Sequence, residues 1–144
     1  MQQLQRVNLM ISEINTVFHE ASLRLGLTDS ASMILYTIQV HGQEGCCPLG
    51  QILELTGLRK QTVNSALRKL EEDGILYLQT AEGRRKTVCL TETGKQFSAR
   101  TAGLLAEKEN EIYDSWTEEE RRTYLELTRR YLDQIREKFK ELGK

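Results

Sequence analysis

Apolar side chains recur at Leu4, Val7, Ile11, Ile14, Phe18, Ala21 and Leu25, in alternating steps of three and four. That is one stripe of a long amphipathic helix, and Gly26 supplies its stop. The spacing is a heptad, which fits a helix covering its own core or one packed on another chain. Thr28 is placed to cap a second helix over roughly Asp29 to Val40. There Ile34, Leu35 and Ile38, with Met33 and Tyr36, wrap more than one face, which suits a central helix. His41-Gly42 ends it, and Gln43-Glu44-Gly45 reads as a loop.

Pro48 fits the first position of a third helix, where its missing N–H costs nothing. Leu49, Ile52, Leu53 and Leu55 give that helix a short apolar face, and Gly57 terminates it. A fourth helix follows, approximately Lys60 to Asp73, with Val63, Ala66, Leu67 and Leu70 inward. Gly74 stands where a left-handed backbone costs glycine least. Two short helices joined through a glycine turn predict a helix-turn-helix. The period then changes. Ile75–Thr80 and Lys86–Thr91 predict the strands of a β-hairpin, with Ala81-Glu82-Gly83-Arg84-Arg85 as its charged tip. Thr91 caps a fifth helix that runs through Phe97, Leu104, Leu105 and Ile112 until Ser115-Trp116 interrupts it. Thr117-Glu118-Glu119-Glu120 is a capping box. The last helix carries Tyr124, Leu127 or Thr128, Tyr131, Ile135, Phe139 and Leu142. At about 1.5 Å per residue it extends about 35–40 Å, more than a domain of this size covers.

A chain of 144 residues suits one domain, or one domain with an oligomerisation arm. An apolar fraction of 39% and a charged fraction of 28% describe a soluble, charge-rich composition. No apolar run approaches the ~20 residues of a membrane span. The N-terminus lacks the apolar stretch and cleavage site of a signal peptide. The net charge of −1 conceals an asymmetry: residues 1–56 carry −3, residues 57–86 carry +3 and residues 87–144 carry −1. A positive middle third points to an anionic partner. Three cysteines, with Cys46 and Cys47 adjacent, argue against a disulfide framework and for a reducing cytoplasm.

Catalysis finds no footing. Histidine occurs only as His19 and His41, and no nucleophile elbow, Gly-rich phosphate loop or H-E-x-x-H is present. The sequence therefore reads as a non-enzyme with no cofactor. His41, Cys46 and Cys47 lie close together but lack the spacing and the second ligand pair of a zinc site. Cys46 and Cys47 read as ordinary half-buried thiols, and Cys89 as strand packing. Nucleic-acid chemistry is better served. With its apolar face inward, the fourth helix presents Lys60, Gln61, Asn64, Ser65 and Arg68, with no acid before Glu71. Gln and Asn pair with adenine in the major groove, and Arg or Lys with guanine. Thr62 and Ser65 can donate to phosphate. Arg84, Arg85 and Lys86 follow on the hairpin, within reach of an adjacent groove or backbone. Helix-turn-helix and basic hairpin together predict binding to double-stranded DNA.

Leu70-Glu71-Glu72-Asp73-Gly74-Ile75-Leu76 resembles the L-E-x-x-G-hydrophobic junction of the MarR family of winged helix-turn-helix transcription regulators. Glu82-Gly83-Arg84, followed by Val88-Cys89-Leu90-Thr91-Glu92-Thr93-Gly94, is similar to that family's wing, D-x-R…V-x-L-T-x-x-G. Glu82 stands where the family usually has Asp, so the carboxylate that would orient Arg84 is one methylene longer. The resemblance implies a mainly α fold: a winged helix-turn-helix lobe over 28–100, with dimerisation helices over 1–27 and 101–144. It implies a homodimer on a pseudo-palindromic operator, acting as a repressor, with Arg84 in the minor groove. It also implies release by a small aromatic or phenolic effector, and Phe18, His19, Ser22 and Tyr36 are the residues expected to wall its pocket. Peroxide-sensing members use a cysteine in the first helix, and this chain has none there. The rival reading is a protein-interaction module that keeps the winged fold without binding DNA.

Overall fold

The Thr28 hydroxyl makes the first corner. In the computed structural model, which describes residues 2–80 and 82–143, helix α1 (Gln3–Arg24) ends before Gly26, whose φ is +79°. Thr28 then accepts the Ala31 N–H at 3.2 Å and starts α2 (Asp29–His41). Two compact units result, residues 1–106 and 107–144.

In the first unit α2 is central, as its two-faced apolar content predicts. Ile34, Leu35 and Ile38 are buried in one cluster with Ile52, Val63, Leu67, Leu70, Leu76 and Val88. Each such side chain contributes about 1.5–3 kcal/mol by leaving water. Helices α3 (Leu49–Thr56) and α4 (Lys60–Glu72) follow, and Gly57 makes the turn with φ +67°. At the end of α4 the Gly74 N–H donates to the Glu71 carbonyl and the Ile75 N–H to the Leu70 carbonyl. This left-handed stop delivers the chain into the sheet. Strands β2 (Leu76–Thr80) and β3 (Lys86–Leu90) pair antiparallel, from Leu76 opposite Leu90 to Thr80 opposite Lys86.

Three expectations need correction. First, Cys46–Pro48 is a strand, β1, paired antiparallel with β3 on the side away from β2, so the sheet order is β1-β3-β2. Pro48 is accordingly the N-cap of α3 and not its first helical residue. Proline is tolerated there because β1 is an edge strand. Second, Cys46 lies opposite Cys89 and the two are joined in a disulfide, which leaves only Cys47 as a free, buried thiol. The pair is non-local: β1, unseen in the sequence, creates it. Third, the expected fifth helix is two, α5 (Glu92–Ala99) and α6 (Ala102–Asp114). At the break the Thr101 hydroxyl bonds back to the Phe97 carbonyl at 2.7 Å, competing with the backbone ladder, and Thr101 N–H turns to Ser98 at 3.1 Å.

In the second unit Thr117 and Glu120 form the predicted capping box at the start of α7 (Glu118–Phe139). The Tyr113 hydroxyl donates to the Arg121 carbonyl at 2.7 Å, and Trp116 packs between two rings, tilted against Tyr113 and edge-on to Tyr124. The 22 residues of α7 span about 33 Å.

Candidate nucleic-acid interface

The two basic features are held by one junction. The Thr91 hydroxyl donates to the Gly74 carbonyl at 2.6 Å, and the Thr91 N–H donates to the Ile75 carbonyl at 3.0 Å. The exit of the hairpin is thereby tied to the end of α4. The same hydroxyl accepts the Gly94 N–H at 2.9 Å and caps α5, as predicted. A single threonine fixes hairpin, helix α4 and helix α5 against one another.

Val63, Leu67 and Leu70 anchor α4 in the core. Lys60, Gln61, Asn64, Ser65 and Arg68 are exposed, as the pattern predicts, and so is Thr62. Among the described residues the ion pair that α4 makes, Lys69 with the C-cap Asp73 at 3.4 Å, lies at its far end. Arg59, not singled out in the sequence, is exposed at the N-cap of α4 and extends the same cationic start. Its signal was only its place in the positive segment.

At the hairpin tip a short 3₁₀ turn covers Glu82–Arg84, with Gly83 at φ +74° and Arg84 at φ +65°. A left-handed arginine is uncommon and costs about 1–3 kcal/mol, a strain that concentrates at functional positions. Arg84, Arg85 and Lys86 are exposed. The Glu82 side chain, expected to orient Arg84, lies outside the described residues. Among the described residues no ion pair involves Lys60, Arg68, Arg84, Arg85 or Lys86.

The four residues expected to wall an effector pocket lie on α1 and α2, in separate contacts along the seam between those helices. Phe18 stands edge-on to Tyr36 with ring centres 6.1 Å apart. His19 Nδ1 lies 2.6 Å from the Asp29 carboxylate, and Ser22 donates to Ser32 at 2.8 Å within the buried part of the seam. Elsewhere, burial pushes the Cys47 thiol pKa up. The Thr117 N–H and hydroxyl hold the Glu120 carboxyl below the ordinary carboxylate range.

A helix-turn-helix continued by a basic β-hairpin, packed on a central helix, defines the winged helix-turn-helix class. Residues 25–86 match the model of the MarR family, and the chain's fold is similar to that of solved MarR family regulators. Its fold is similar to that of NMB1585, a MarR family regulator from Neisseria meningitidis. The two are 27% identical over 100% of both chains, with a TM-score of 0.78. A MarR family regulator from Silicibacter pomeroyi is 22% identical over 90% of this chain and 86% of its own, with a TM-score of 0.70. MepR of Staphylococcus aureus, in its DNA complex, is 18% identical over 93% of this chain and 96% of its own, with a TM-score of 0.71. No curated protein sequence matches the chain. Among the described residues no helix is long and apolar enough to cross a membrane.

Proposed function

We propose that the protein binds a pseudo-palindromic DNA operator as a homodimer and represses transcription there, in the cytoplasm. The observation that carries this reading is the exposed face of α4 tied through Thr91 to a hairpin that bears Arg84, Arg85 and Lys86. Lys60, Gln61, Asn64, Ser65 and Arg68 read base edges in the major groove, and Thr62 contacts phosphate. Arg84 enters the minor groove, where narrow A·T-rich segments attract arginine; Arg85 and Lys86 neutralise phosphates. The likeness to the MepR–DNA complex supports the same use of the fold.

The homodimer is supported by apolar residues left exposed on the two terminal helices: Leu4, Val7, Ile11 and Ile14 on α1, and Leu125, Leu127 and Phe139 on α7. Two lobes then meet successive major grooves about 34 Å apart. A small aromatic or phenolic effector binds at the α1–α2 seam of Phe18, His19, Ser22 and Tyr36, and lowers operator affinity by favouring a different lobe spacing. Selection of bound duplexes from a random pool tests the reading. A two-fold consensus with half-sites about one helical turn apart is expected. No enrichment at low salt favours the protein-interaction module instead.

A further inference from the structure

β1 meets the sheet only at β3 and runs directly into α3: Pro48, its last residue, is the N-cap of that helix. Cys46 faces Cys89 across this pairing with Cα atoms 4.1 Å apart, and their sulfurs are bonded. Beside them the Leu90 N–H donates to the Gly45 carbonyl at 2.8 Å. On its other edge β3 pairs with β2 along Leu76–Thr80, and its first residue is Lys86 of the basic tip. One covalent bond therefore fastens the entry of the helix-turn-helix to the return strand of the wing.

The two strands depend on that bond unequally. β3 is central in the sheet and holds Val88 and Leu90 in the core. β1 is three residues on an edge. Loss of the bond falls on β1, and through it on α3. Cys89 is 1% exposed, whereas Cys46 is partly exposed and gives solution reagents their way in. The neighbouring Cys47 is buried with a raised thiol pKa, and so is a poor attacking group.

The next step rests on the DNA-binding reading. A protein that works on chromosomal DNA sits where thiols are kept reduced, and disulfides there are typically transient, catalytic or redox-sensing. We propose that the Cys46–Cys89 bond is a dithiol-operated switch that sets the helix-turn-helix against the wing, and with it the affinity for DNA. A thiolate of a dithiol reductant attacks the Cys46 sulfur. The S–S bond breaks, and Cys89 leaves as a thiolate that takes up a proton. The reductant's second thiol attacks the mixed disulfide, frees the Cys46 thiol and closes the reductant's own disulfide. Two electrons and two protons pass to the protein, and an oxidised dithiol reverses the step.

Dithiothreitol is the probe. Protein purified without reductant is compared with the same protein after treatment. The readouts are alkylation in denaturant, amide hydrogen exchange and titration of a labelled duplex carrying the selected site at fixed salt. Alkylation is expected at Cys47 alone before treatment and at all three cysteines after it. Reduction is expected to speed exchange in β1 and the first turn of α3, and to weaken DNA binding about fivefold or more. Cys46→Ser is expected to match the reduced form and to ignore the reagent. Three alkylated cysteines both before treatment and after oxidised dithiothreitol overturn the proposal, as do equal exchange and equal affinity in the two forms. Failure of both forms to bind any duplex sinks the DNA-binding reading and the affinity half of the proposal with it. In that case a difference in exchange still upholds the mechanical link, and equal exchange overturns it.

Discussion

Gly94 sits where a side chain has no room, because a Cβ there would collide with the Ile75 carbonyl oxygen. The obstacle is backbone at the α4–β2 junction and cannot rotate away. Gly94→Ala should therefore destabilise the fold by about 3 kcal/mol, measured as a shift in the urea midpoint. An unchanged midpoint would mean that the junction yields freely. Beside it Thr91 and Gly74 make the tie between wing and helix, so the most recognisable residues of the sequence serve the lobe's geometry. The residues that touch DNA in the proposed complex are different ones. Arg84→Ala should weaken operator binding by about 1–3 kcal/mol in a titration at fixed salt, and unchanged affinity removes the wing from the interface. Asn64→Ala should cost more on the selected site than on random duplex, since a base-edge contact carries sequence information and a phosphate contact does not. Equal losses on both make Asn64 a positioning residue.

Helix α7 begins with a device that titrates. The Thr117 N–H donates to the Glu120 carboxylate at 2.8 Å, and the Thr117 hydroxyl accepts the Glu120 N–H at 3.1 Å. Donation to the carboxyl, from the Thr117 N–H first and its hydroxyl second, lowers the Glu120 pKa in the folded chain. A depressed carboxyl stabilises the fold above its unfolded pKa, and that contribution is lost as pH falls through the folded value. Glu120→Gln should accordingly flatten the acid side of the stability profile while leaving the capping geometry largely in place; an identical acid slope in both proteins refutes the linkage. This element was readable because its signals are local, within four residues. The same holds for Thr28 on α2, Gly74 after α4 and the alternating strand that ends at Thr91. What escaped was non-local or too short for a period. β1 has three residues, and its partner lies about forty positions downstream, so neither the strand nor the disulfide had a local signature. The break between α5 and α6 rests on one hydroxyl turning back on the ladder at Thr101. Most of the face of α4 was legible, because burial of Val63, Leu67 and Leu70 decides which residues remain outside; Arg59 at its N-cap was not.

At the scale of the whole molecule, affinity in the proposed complex is set by how many phosphates are neutralised at once, which depends on whether two lobes act together. One lobe offers Lys60, Arg68, Arg84, Arg85 and Lys86 as exposed cations. If Arg85 and Lys86, the phosphate contacts of each lobe, release one counterion apiece, log K against log salt has a slope of about −1.8 for one lobe and about −3.6 for two. In the proposed homodimer the stripe on α1 decides which applies. Ile11 and Ile14 are 44% and 49% exposed in the single chain, too apolar a strip to leave in water beside Leu4 and Val7. The double variant Ile11→Glu, Ile14→Glu places like charges where two copies would meet, and alters no residue of α4 or the wing. It should sediment as a monomer, keep the folded lobe by circular dichroism, and bind the selected duplex with about half the salt slope of the parent. A parent slope already near the one-lobe value, unchanged in the variant, would show that the lobes act singly; the pseudo-palindrome would then have no structural basis in this protein.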